Sequence, residues 1–199
     1  MMLVEETSVP LAALPIAELK AHLRLGSGFA EDDVQDAVLE SFLRAALAAA
    51  EARTGKVLIE REFSWTLENW RTAEAQVLPV APVGSVNAVV LIDRLGVETL
   101  ISADTYRLLQ DRQRPRLCPV AGALPMVPTD GAVRVEMTAG FGPGWDGLPA
   151  DLAQAVLMLA AHYYEYRHDT ALSGGCMPFG VTSLLERYRP VRIFAGGAA

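Results

Sequence analysis

The sequence predicts an α+β fold: a small antiparallel helical bundle with an inserted antiparallel β unit and an extended C-terminal tail. Three observations predict it. Apolar residues recur at helical spacing before residue 54 and again from residue 149. Between them, from Val57 to Met137, the apolar period is closer to two and turn residues are frequent. After Pro190, which ends the last helical stretch, a basic and aromatic tail follows. The expected divisions are 1–56 and 148–189 for the helical core, 57–147 for the β unit and 190–199 for the tail. At 199 residues, 51% of them hydrophobic and 21% charged, the chain suits one folded domain with a sizeable insertion.

Residues 10–25 read as a short amphipathic helix opening near Pro15, with Ile16, Leu19 and Leu23 on one side and Gly26-Ser27-Gly28 as its stop. Glu31, Asp32 and Asp33 then suit the positive end of a second helix, 31–54. Its expected stripe is Val34, Val38, Phe42, Ala45 and Ala49, widened by Leu39, Ala46 and Ala50. The alanine run 45–50 permits close approach of another helix, and Gly55 ends the segment. Strands are expected at 57–67, 86–92, 97–101, 105–110 and 132–138, with Asp93-Arg94-Leu95-Gly96 as a hairpin turn. Prolines 79, 82, 115, 119, 125 and 128 keep the ladders short. Trp65 or Trp70 is the expected core anchor.

The long helix 149–168 opens with Pro149 in its first turn. Leu152, Ala155, Val156, Leu159, Ala160 and Tyr163 make its main stripe, yet Leu157 and Met158 make the opposite face apolar too. No charge falls between Asp151 and Glu165. A helix so apolar needs partners on several sides, which points to burial by assembly. Ser173-Gly174-Gly175 breaks the chain, and Thr182 or Ser183 can cap a short helix running to Tyr188.

Charge bounds the function. The net charge is −7, split −4, −3 and 0 over residues 1–56, 57–147 and 148–199. Sequence-independent affinity for DNA rests on neutralising phosphates, so an acidic chain holds DNA weakly. The opening residues lack the basic start and apolar run of a secretory signal, and no apolar stretch reaches the ~18–20 residues that span a bilayer. A cytoplasm-like compartment is expected. Cys118 and Cys176 are far apart and read as plain thiols.

Chemistry-bearing motifs are weak. His162, Glu165 and His168 share a helical face, but a helix-borne metal site needs a second Glu-x-x-His pair, and only His22 remains. No cofactor and no metal are expected. Ser173 and Cys176 lie near His168 without an elbow or an orienting motif, and the glycine strings lack the Lys-Ser/Thr ending of a phosphate loop. No catalytic residue is expected. Tyr163, Tyr164, Tyr166 and Arg167 are of the types that carry interface energy. They either face a partner or pack under the chain's own β unit. Arg187, Tyr188, Arg189, Val191, Arg192, Ile193 and Phe194 form a basic and aromatic segment expected to dock.

Taken in order, these pieces resemble the phage head–tail connector (adaptor) family, in particular its longer members from prophages and gene transfer agents. The resemblance runs through residues 21–25 (AHLRL), 31–33 (EDD), 51–56 (EARTGK) and 78–86 (LPVAPVGSV). It continues through 138–142 (TAGFG), 148–152 (LPADL), 163–167 (YYEYR) and 178–181 (PFGV), and closes on Leu184-Leu185 and Tyr188-Arg189. Short family members lack the β unit. The resemblance implies a non-enzymatic virion protein that forms a homo-oligomeric ring, usually dodecameric, under the portal protein. The ring extends the DNA channel, lets double-stranded DNA pass without sequence recognition, and offers a platform to the next tail component, a stopper or tail terminator. It further implies assembly in the bacterial cytoplasm, residence in the particle neck and no membrane partner. On this reading helices 31–54 and 149–168 make the core and ring contacts, the tail docks on the portal, and the β unit widens the platform. Two other readings stand beside it: a carbohydrate-binding module with Trp65 and Trp70 exposed for stacking, and a small hydrolase using Cys176.

Overall fold

The computed structural model describes residues 1–25, 33–167 and 177–189. Its helices are α1 (Ile16–His22), α2 (Asp33–Thr54), α3 (Ala150–Glu165) and α4 (Phe179–Glu186). Its strands are β1 (Met2–Glu5), β2 (Arg61–Leu67), β3 (Gln76–Val77), β4 (Val83–Ile92), β5 (Glu98–Leu100), β6 (Tyr106–Leu109), β7 (Arg116–Pro119) and β8 (Ala132–Ala139). The α+β class holds, and strand β1 precedes the helices and joins the main sheet.

The helical layer has its own core. Leu19 of α1, Leu39 and Leu43 of α2, Leu152 and Leu159 of α3, and Leu185 of α4 are all buried in it. The stripe on α2 differs from the expected one. Leu39, Leu43, Ala46, Leu47 and Ala50 turn inward, while Val38 and Ala45 are exposed and Phe42 and Ala49 are half-buried. The reason is area: burying three leucines removes far more apolar surface from water than burying alanines. Gly55, at φ +64°, ends α2 as expected.

The apolar girth of α3 also has a local explanation. α1, α2 and α4 all pack on it within one chain, and Leu157, Met158 and Tyr163 are covered in part by the same cluster. The subunit's own helices thus supply the several contacts expected of α3, and Leu157 and Met158 stay half-buried. The short helix α4 begins earlier than expected, at Phe179 behind Pro178, so Thr182 and Ser183 sit inside it and do not cap it. Gly26, Ser27, Gly28, Glu31, Asp32 and the 173–175 break lie outside the described residues.

The β unit is two packed sheets. Five strands run antiparallel in the order β1-β2-β8-β4-β5, and three more in the order β3-β7-β6. Strand β8 shows the period of two most plainly. Val133, Val135, Met137 and Ala139 are buried, and Ala132, Arg134, Glu136 and Thr138 face outward. The inner face meets Tyr106 and Leu117 of the smaller sheet. Trp65 is 3% exposed, so it is the expected anchor. Trp70 is half-buried and its indole N–H donates to the Pro125 carbonyl at 2.7 Å. The expected hairpin turn forms, with Gly96 at φ +81° and the Asp93 carboxylate accepting from the Leu95 and Val97 amides.

Strands β1, β3 and β7 were not expected. Strand β2 begins at Arg61; the preceding residues join the two layers. There Val57 donates to the Ala81 carbonyl, Glu60 to Gly142, and Phe141 to Leu58. Leu58 and Ile59 are buried in the helical core. A buried ion network reinforces the joint. Arg61 of β2 donates to both oxygens of Glu51 on α2 at 2.7 Å and to Glu5 of β1 at 2.9 Å.

Candidate assembly surfaces

The aromatic end of α3 is built from residues on successive turns. Tyr163 is half-buried against the helical core, and burial pushes its hydroxyl pKa up. Tyr164 meets Phe42 of α2 edge-on, with ring centroids 6.1 Å apart. Arg167 lies over the Tyr164 ring at 4.4 Å and donates to the Tyr164 carbonyl at 2.6 Å. Tyr166 alone of the three tyrosines is substantially exposed, at 48%, with the His162 ring 4.7 Å away. The cluster thus divides: two rings complete the subunit's own helical layer, and Tyr166 with Arg167 faces out.

The segment after α4 is anchored at its root. Tyr188 is buried, stands edge-on to Phe141, and donates to Asp151 Oδ1 at 2.6 Å. Arg187 reaches the other oxygen of the same carboxylate at 3.0 Å and lies over the Tyr188 ring. Asp151 Oδ1 also accepts from the Leu152 amide at the start of α3. Burial, and then the hydrogen bond to Asp151, push the Tyr188 hydroxyl up to about 12. Among the described residues Arg189 pairs with Glu186, one turn back, at 2.8 Å. Val191, Arg192, Ile193 and Phe194 lie outside the described residues.

Several exposed apolar side chains were not singled out from the sequence. Phe179, at the start of α4, is 88% exposed. Leu95, Val97 and Leu100 cluster on the β4–β5 hairpin, and Met2, Leu3 and Val4 line β1. A lone exposed apolar residue is ordinary, whereas runs of them mark contact surfaces. Single-sequence patterning could not find them, because exposure depends on which strand ends up at an edge.

Among the described residues no three His, Cys, Asp or Glu side chains gather as metal ligands. His162 and Glu165 are on α3; His168 and Cys176 lie outside the described residues. Burial of Trp65 removes it as a stacking platform for sugars. No described helix is long and apolar enough to cross a membrane.

The class is thus an α+β subunit, a helical layer joined to a double sheet, with aromatic, basic and apolar groups exposed at its margins. No model of a known protein family matches the chain, and no curated protein does. Solved structures do match. A chain in the neck of an empty gene transfer agent particle, computed with C6 symmetry, shares 54% identity at a TM-score of 0.89. A chain in the virion of a native gene transfer agent shares 53% at 0.87, and one in a native neck computed with C12 symmetry shares 49% at 0.84. Each match covers 98% of this chain and 99% of the other. The chain belongs to the head–tail connector (adaptor) family, in its longer, gene transfer agent type.

Proposed function

We propose that this protein is the structural head–tail adaptor of a gene transfer agent particle, forming a closed ring of copies in the neck. The observation that carries this is 54% identity over 98% of the chain to a neck component. The C6 and C12 symmetries of the similar necks support a homo-oligomeric ring. Ring closure requires head-to-tail contacts between unlike patches of neighbouring copies. The outward apolar residues of α2, Val38 and Ala45, suit such an approach because their small side chains let another helix come near. Tyr166 and Arg167 extend that surface.

The ring continues the DNA channel below the portal. Twelve copies, each at −7, carry −84 of formal charge, so the assembly attracts DNA weakly and lets it slide. The β unit widens the platform offered to the next tail component, a stopper or tail terminator. Residues 190–199 dock on the portal, launched from a root that Asp151 fixes through Tyr188 and Arg187. Assembly takes place in the bacterial cytoplasm, and the protein performs no catalysis.

Deleting residues 190–199 tests the docking. The truncated chain should fold with unchanged circular dichroism but fail to join DNA-filled heads, as read by electron microscopy of the necks. Normal attachment of truncated protein would end the portal-docking reading. Absence of the intact chain from the neck would end the adaptor reading itself.

A further inference from the structure

Strand β1 is one edge of the five-stranded sheet, β5 being the other, and its first three residues carry no charge. Met2, Leu3 and Val4 are all exposed, with no proline, lysine or bulge among them. Its register fixes which backbone groups are free. Glu6 donates its amide to the Glu62 carbonyl, so residues 2, 4 and 6 bond inward to β2. In an antiparallel pair the alternate residues point away. Leu3 and Glu5 therefore hold their N–H and C=O groups outward, with no strand paired to them among the described residues.

Pairing with an edge of the five-stranded sheet of another copy does not satisfy this edge. Two β1 strands would pair antiparallel about a two-fold axis, which a cyclic ring lacks. Joining β1 of one copy to β5 of the next also fails. Four steps of sheet twist turn β1 from β5 by roughly 80–100°. Neighbours in a twelve-fold ring differ by only about 30°.

The charge beside the edge describes the missing strand. Glu6 and Glu62 sit opposite one another where the β1–β2 pairing ends, which puts two acidic residues at one corner, and the Ser64 hydroxyl donates to the Glu6 carboxylate. Among the described residues neither carboxylate has a cationic partner, and Arg134 nearby is held by Glu98 and Glu136. Beside them, Met2, Val4 and Ser64 line a shallow cleft of about 730 Å³.

We propose that β1 is a strand-addition site for an extended segment of a second neck protein, apolar at alternate positions and carrying a Lys or Arg beside Glu6 and Glu62. Main-chain bonds to Leu3 and Glu5 supply affinity, and the carboxylate pair supplies register. The proposal rests on the adaptor reading, in which this chain's own residues 190–199 are engaged by the portal.

A photo-cross-linking residue placed at Met2, in assembled particles, tests it by mass spectrometry of the joined peptides. Cross-links to a different neck protein are expected. Leu3→Pro removes an outward N–H and leaves the β2 ladder intact, so it should lower the yield about fivefold or more while the fold persists. Glu6→Gln should lower the yield as well, because it keeps an acceptor for the Ser64 hydroxyl and removes the charge that the incoming cation meets. Cross-links only to other copies of this chain, residues 190–199 included, would overturn the proposal. So would no cross-link from a chain that is present in the neck. If the unmodified chain is missing from the particle, the adaptor reading falls first.

Discussion

Arg61 holds the two layers of the subunit together. Its guanidinium is buried and forms a two-pronged pair with Glu51, while Glu51 also accepts the Leu58 amide at 2.7 Å. Removing one partner from a buried pair leaves the other charge uncompensated, which costs about 3 kcal/mol. Arg61→Met should lower stability by about that amount in urea unfolding, and a loss below about 1 kcal/mol would show that the pair is incidental. Tyr188 makes a second residue-scale case, this one dependent on pH. Its hydroxyl is pushed up to about 12 from an ordinary 10.0, so the folded state favours the protonated phenol. The stabilisation is complete below pH 10 and is lost as pH climbs from 10 towards 12. Tyr188→Phe should flatten that alkaline decline, which denaturant titrations across the window would measure.

At the scale of elements, the corner where β8 leaves the sheet for the helices is tightly constrained. Gly140 sits at φ +144°, and a Cβ there would lie 2.4 Å from the Glu60 Cα. Rigid backbone on both sides leaves no room to yield, so Gly140→Ala should cost about 3 kcal/mol or more and separate the helical and β layers. Equal unfolding midpoints for variant and parent would refute this. Gly140 stood in the sequence as one glycine of a string; its role appears only when β2 approaches it. The helices, the β4–β5 hairpin and the alternating β8 were legible because their apolar patterns contrast with what surrounds them. The face of α2 was misread because alanines on every side blur the contrast, and Leu43 and Leu47 carry the decision. Strand β1 was illegible for a related reason: four residues beside an acidic pair give no period to read. Strands β3 and β7 are too short and too close to prolines. Among site residues, Tyr166 and Arg167 face out as an interface reading needs, whereas Tyr188 proved to be a core residue whose phenol serves Asp151.

At the scale of the whole molecule, charge and ring closure oppose each other. Each copy carries −7, and neighbours in a ring bring these charges close enough to repel. On the proposed reading the seam between copies is built chiefly from exposed apolar and aromatic side chains, Val38, Ala45, Tyr166 and Phe179. Salt shortens the reach of the repulsion, to about 10 Å at 0.1 M and 3 Å at 1 M. Apolar contacts do not weaken with that screening. The purified chain should therefore shift towards rings as ionic strength rises, with sedimentation velocity reporting the change. An interface held by ion pairs across the seam would behave in the opposite way, and rings that dissolve in salt would refute this account of closure. On the proposed reading, the same sign of charge that resists assembly in dilute salt also weakens the grip of the ring on DNA.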